Sequence, residues 1–168
     1  MQSDYMPFQV PPQSNTTVTT GHGYTERQRT IGDILESEED CRAILEAARW
    51  PGGPVCPNCG AEQAASRLTT RPGLWTCKAC RASQYSVTSG TQLHRSRLPV
   101  SAWVRLYYLT RIRGQQLSNS QVSRKLSVAY LTARSMLERL DAMEREQPDM
   151  ARRLYDQLYS VIRRGAES

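Results

Sequence analysis

The sequence predicts a small α+β fold: a cysteine-ribbon β-hairpin module, then a mainly α bundle in a helix-turn-helix pattern, behind a disordered N-terminal arm. Three observations carry that expectation. Cysteines pair as Cys56-Pro-Asn-Cys59 and Cys77-Lys-Ala-Cys80, with seventeen residues between the pairs. A Pro72-Gly73 step divides two extended runs within that interval. Beyond residue 98, apolar residues recur at helical spacing with capping residues at the segment ends.

A chain of 168 residues suits one or two small domains and leaves little room for a large enzyme core. It has neither a run of about eighteen apolar residues nor a basic-then-apolar leader, so no membrane span or secretory signal is expected and a cytoplasmic, nucleoid-associated protein is. The net charge of +6 is unevenly distributed. Residues 1–29 balance, and residues 30–62 carry seven acids against two arginines. Residues 63–137 carry twelve Lys or Arg and no acid, and 138–168 carry seven acids and six arginines. A span of 75 residues with unopposed cations is suited to a polyanion, because each phosphate contact releases condensed counterions. A nucleic acid is therefore the expected partner, in preference to a merely solvated face.

Taken in order, residues 1–29 form the arm, where "MQSDYMPFQVPPQSNTTVTTGHGYT" mixes Pro and Thr with no apolar period. His22, between glycines, reads there as a loop residue. Residues 30–98 form a helical lead-in and the ribbon. In "TIGDILESEEDCRAILEAA" one or two short amphipathic helices are expected, the second starting near Ser37 with acids in its first turn. The odd cysteine, Cys41, falls on this helix and reads as a buried, inert thiol.

The four paired cysteines are a metal constellation. In a reducing compartment, close pairs mean metal more readily than disulfide. Zinc takes four soft ligands in a tetrahedron, and a C-x2-C turn presents two sulfurs to one ion. Four thiolates close the coordination sphere, and no Glu stands nearby as a base. One structural Zn2+ held by Cys56, Cys59, Cys77 and Cys80 is expected, against a redox dithiol. The interval is long enough for a strand out and a strand back, and "SQYSVTSGT" alternates around Tyr85 and Val87 as a third strand would.

Residues 99–145 are expected to hold the helix-turn-helix. A first helix runs from Ser101 as N-cap to Gly114 as C′ residue. Ser118 and Gln121 form a capping box with Leu117 and Val122 as a hydrophobic staple, so a short helix is expected over 118–126. A longer one follows from about Ala129 to Met143, its stripe formed by Ala133, Met136, Leu137, Leu140 and Met143. Residues 146–168 are expected to form a C-terminal helix, with Pro148 at its start, Asp149 in the first turn, Arg163 and Arg164 in the last, and Gly165 beyond. Its stripe of Met150, Leu154, Leu158, Val161 and Ile162 either packs on the bundle or pairs with a second copy or a protein partner.

From about Thr30 to Met143, the words "RWPGGPVCPNCG", "WTCKAC", "YSVTSGT", "RLPVSAW" and "SNSQVSRKLSVAYLTA" resemble, in order and spacing, the N-terminal part of bacterial insertion-sequence transposases that carry a transposase zinc ribbon. The resemblance implies that the four cysteines are zinc ligands and that residues 118–143 read DNA. In that family a ribonuclease-H-like catalytic domain with three metal-binding carboxylates follows; only 25 residues follow Met143 here, so no catalysis is expected. Where the family has a Gly in the turn, a Lys near the recognition-helix start and a Trp further along, this chain has Ser127, Leu131 and Arg134. Opposite the apolar stripe of that helix lie Leu131, Ser135 and Glu138, with Thr132, Arg134 and Arg139 on the flanks.

The candidate DNA-binding residues are then Arg67, Arg71, Lys78, Arg81, Arg95 and Arg97 of the ribbon for the phosphate backbone, with Arg124 and Lys125 of the short helix. Thr132, Arg134, Ser135 and Arg139 are the candidates on the recognition helix, Arg being a good reader of guanine. The sequence reads as a non-catalytic, transposase-derived protein that binds double-stranded DNA, acting as a transcriptional regulator or accessory factor. Its alternatives are the DNA-binding half of a split transposase with the nuclease on another chain, a protein-interaction adaptor, and a decayed remnant.

Overall fold

The computed structural model describes residues 29–81 and 84–166. The expected arm, with His22, lies outside the described residues except for Arg29, which pairs with Asp40. Thr30 caps α1 (Ile31–Glu36) in a capping box with Asp33, and the Ser37 hydroxyl accepts the Asp40 amide at the start of α2 (Glu38–Arg49). Each cap satisfies an amide that a helix start leaves without an intrahelical partner. One face of α2 buries Cys41, Ile44, Leu45 and Ala48. The Cys41 thiol donates to the carbonyls of Ile34 and Leu35, and burial, followed by the charges of Glu38 and Asp40, pushes it up to about 12. It is the inert core thiol that the sequence suggests.

Past Trp50 comes an antiparallel sheet of β1 (Ala65–Arg67), β2 (Leu74–Cys77) and β3 (Gln84–Ser86), in that order. The turn at Pro72-Gly73 joins the first two strands; Gly73 has φ +85°, and a Cβ there would lie 2.5 Å from the Arg42 Nε. Only glycine suits both the backbone and the close approach. In the register, Trp75 sits between Arg67 and Tyr85. Trp50 meets Trp75 and Tyr85 edge-on, with centroids 6.4 and 6.0 Å apart, which seats the sheet on the end of α2.

A long connection leads to α3 (Val100–Tyr107), which begins differently from the sequence expectation. Pro99, not Ser101, is its N-cap, and no side chain of its own segment caps it. Instead the Glu38 carboxylate, from α2, accepts the amides of Val100 and Ser101 at 2.9 and 2.8 Å. A tertiary acid thus replaces the expected local serine.

The helix also does not run evenly to Gly114. It widens into a π-helical turn (Tyr108–Ile112), where the Arg113 amide reaches the Tyr108 carbonyl at 2.9 Å. The Thr110 hydroxyl donates to the Leu106 carbonyl, competing with the regular backbone bond, and the widening buries Tyr108, Thr110 and Ile112 together. Gly114 then ends the segment at φ +61°.

The capping box at Ser118 and Gln121 opens α4 (Asn119–Leu126), and after Ser127, Val128 and Ala129 the chain enters α5 (Tyr130–Glu146). Val122 and the α5 stripe are buried, Leu137 half so. The last helix, α6 (Pro148–Ala166), passes through Gly165 instead of stopping before it; glycine weakens a helix without breaking it, and a terminal turn is where that matters least.

The stripe of α6 is used within the chain: Met150, Leu154, Leu158 and Ile162 are buried, and the helix lies along α2 while touching α1, α5 and the π-helical turn. Of the two uses the sequence allows for this stripe, packing on the bundle is the one seen. A single cluster of buried side chains runs from Leu35 through the ribbon and bundle to Ile162.

Candidate metal centre and basic surface

Two knuckles build the centre, and they repeat one local geometry. In the first, the Gly60 amide donates to the Cys56 carbonyl at 2.9 Å; in the second, the Arg81 amide donates to the Cys77 carbonyl at 3.0 Å. Both amides belong to residues in the left-handed region, Gly60 at φ +69° and Arg81 at φ +52°. The hairpin then brings the knuckles face to face.

Ligand atoms of Cys56, Cys59, Cys77 and Cys80 all lie within 4.8 Å of one another. The cross-knuckle pairs Cys56–Cys80 and Cys59–Cys77 have Sγ atoms 3.9 and 3.7 Å apart. A disulfide needs about 2.05 Å. A tetrahedral ion with bonds of about 2.3 Å to sulfur sets its ligands about 3.8 Å apart, and the observed separations fit that figure.

The electrostatics fit as well. The Cys59 amide lowers the Cys56 thiol, burial opposes it, the Asn58 amide adds to the lowering, and the net shift is downward. At Cys59 the Ala61 amide also pulls down, but burial and the bonds shared with Cys77, Cys56 and Cys80 outweigh it and push this thiol to about 12. Thiols so close cannot all ionise without a cation between them, so the donor set is made for a dication. The Asn58 side-chain amide lies 3.7 Å from the Cys80 sulfur and orients it from outside the ligand set. These four cysteines can bind one zinc ion, with no position left open for water. Tyr85, buried beside them, is raised above the usual phenol range, first by burial and then by the nearby sulfurs.

The candidate cations fall into two groups. Lys78 and Arg81 are exposed and line one concave patch of the second knuckle with Thr76 and Cys77. Arg71, in the hairpin turn, is exposed and reaches the Gln84 side chain at 3.5 Å. Exposed too are Arg95 and Arg97, on the connection after β3, and Arg124 and Lys125 on α4. Arg95 holds a left-handed backbone, φ +56°.

The second group is engaged within the fold. Arg67 pairs with Glu46 at 2.9 Å and lies over the Trp75 ring, while Glu46 also accepts the Trp75 indole N–H. Arg134 donates to Glu138 at 2.8 Å, one turn on. Arg139 stacks on Trp103 and donates to the carbonyls of Gln92 and His94, so the structure uses it to tie α5 to the connection after the ribbon. Of the other positions on α5, Ser135 is exposed and Thr132 half-buried.

Sequence reasoning missed Tyr130, which stands 52 % exposed beside Leu131 at 74 % in the first turn of α5. The signal available was its place immediately after the turn and ahead of the stripe that begins at Ala133. Nor could it pair the acids of α5: Arg111 holds both Asp141 and Glu144, at 2.5 and 2.6 Å.

Among the described residues no helix is long and apolar enough to cross a membrane. Neither a curated protein nor a solved structure matches the chain. Residues 36–83, from the cap of α2 through both knuckles, match the family model of the transposase zinc-ribbon domain.

Proposed function

We propose that this protein is a non-catalytic, zinc-dependent DNA-binding protein related to transposases, acting in the cytoplasm on the nucleoid as a transcriptional regulator or accessory factor. The observation that carries the reading is the exposed cation set of the acid-free span, with Arg71, Lys78, Arg81, Arg95, Arg97, Arg124 and Lys125 displayed on a cysteine-ribbon scaffold and on α4. Exposed cations without acids nearby exchange counterions for phosphates. The match to a transposase zinc ribbon supports a nucleic-acid partner.

We read α4, the turn at Ser127–Ala129 and α5 as a helix-turn-helix supported by α3. On that reading α5 is the recognition helix, and its first turn is free of acids and exposes Tyr130 and Leu131. The pairing of Asp141 and Glu144 with Arg111, and of Glu138 with Arg134, supports a role for these acids in the fold and not in metal-dependent cleavage.

The test is binding of zinc-loaded protein to random-sequence duplex DNA across a salt series, followed by selection of preferred sites. Steep salt dependence with an enriched motif is the expected result. No binding at any salt would reject this reading in favour of a protein adaptor. The transposase match also admits a second reading, the DNA-binding half of a split transposase, which predicts that a nuclease chain copurifies and cleaves the selected site.

A further inference from the structure

Tyr130 and Leu131 are the exposed large hydrophobic residues among those described, and they are adjacent. They are not spillover from the core stripe. Leu131 is nine positions before Leu140, about half a revolution away at roughly 100° per residue, and Leu140 is 1 % exposed. The same helix therefore buries one side and displays an isobutyl group on the other. Tyr130 is braced: its hydroxyl accepts from the Asn119 side chain of α4 at 3.3 Å, which fixes the ring against the turn.

The polar groups on this face are poorly suited to reading guanine. Arg134 already donates to Glu138, and Arg139 is engaged with two carbonyls of the connection. What the first turns of α5 offer outward is an apolar pair, the hydroxyl of Ser135 and an exposed Arg134 whose charge is met by Glu138 one turn on. In the major groove, the apolar feature of a base edge is the thymine 5-methyl group. Charge decides the class of partner. Along the chain the exposed cations Arg124 and Lys125 precede the turn, the first turn of α5 has no acid, and the acid further along this face, Glu138, is paired with Arg134, a charge pattern that suits a polyanion.

We propose that the first turn of α5 reads thymine in the major groove, Leu131 packing on the 5-methyl group with Tyr130 beside it. The proposal rests on the DNA-binding reading above and names the base chemistry of that same face. Specificity would then favour T at one or two positions through packing, with register set by the phosphate contacts.

The experiment uses the full chain, zinc-loaded, and a site selected from random duplex DNA. Each thymidine of that site is replaced singly by deoxyuridine, which removes the methyl and keeps every hydrogen-bonding group. The expected result is a loss of about three- to fivefold at one or two positions, the scale of one buried methyl. Leu131→Ala should bind the T and U sites alike, with the salt slope of the wild-type protein and unchanged circular dichroism. Equal affinity of the wild type for T and U at every position overturns the proposal, as does T preference that survives in Leu131→Ala. Salt-dependent binding with no selected motif also overturns it while leaving DNA binding intact. Absence of DNA binding at any salt removes the underlying reading as well, and leaves Leu131 to a protein partner.

Discussion

Arg81 and Ser127 both hold a left-handed backbone, at φ +52° and +54°, though neither is a glycine. Such a backbone costs a side-chain-bearing residue about 1 kcal/mol. At Arg81 the comparison is internal, because the first knuckle fills the matching position with Gly60. The second knuckle accepts the strain and places a cation beside Lys78. At Ser127 the strained residue ends α4, and the amide and carbonyl of Val128 are both bonded to Ser123, so the turn itself demands the conformation. Arg81→Gly and Ser127→Gly should each raise the urea midpoint, by up to about 1 kcal/mol of stability. Their effects on DNA should differ. Arg81→Gly is expected to weaken binding at all sequences alike and to reduce the salt slope by about one phosphate contact, while Ser127→Gly leaves both unchanged. Wild-type DNA affinity in Arg81→Gly would remove this arginine from the interface.

Between elements, the contact with the clearest consequence is Glu38 of α2 at the start of α3. Its carboxylate accepts two amides of a helix that lies more than sixty residues on, and it also meets Arg42 at 3.4 Å. Burial would raise this acid, but the amides of Ser101 and Val100, with Arg42, outweigh it and hold the group below the usual carboxylate range. A carboxyl lowered in the folded state adds stability above its unfolded pKa and loses it as pH falls through the folded value. Glu38→Ala should therefore lower stability at neutral pH by about 1 kcal/mol, the scale of a lost helix cap. The deficit should shrink in acid. Urea midpoints measured from neutral pH down to the carboxylate range test this, and a deficit that stays constant in acid would mean the loss comes from packing.

At the scale of the whole molecule, the cysteines are not an appendage. Cys56, Cys77 and Tyr85 belong to the same buried cluster as Leu45 and Ala48 of α2, and α2 carries α6 along its length. Arginines fasten the same region: Arg49 donates to the carbonyls of Val87 and Ser89, and Arg153 of α6 donates to that of Ala48. Loss of metal should thus be felt by the helices. Cys59→Ser, or a chelator, is expected to release one zinc and to lower the thermal midpoint of the whole helical circular-dichroism signal in a single transition. Full zinc retention in Cys59→Ser would refute the ligand assignment. A helical transition indifferent to the chelator would show that ribbon and bundle fold independently.

Much of this protein was legible because its signals are short-range. The cysteine spacing, the Pro72-Gly73 turn, the Ser118 and Gln121 box and the period of the α5 and α6 stripes each lie within a few residues, where chain geometry leaves few choices. From these the sequence by itself determined the element order and the four thiols gathered around one position. What it could not assign were pairings across distance. An arginine reads the same whether it faces solvent or a carbonyl, so only the tertiary structure separated exposed Lys78, Arg81, Arg95 and Arg97 from engaged Arg67 and Arg139. It alone supplied Glu38 as the cap of α3, turned the α6 stripe onto α2 and left Tyr130 outside beside Leu131, whose outward place the helical period already gave. Local spacing fixes which groups can meet along one segment, but burial and partner choice are settled only when distant segments compete for the same surface.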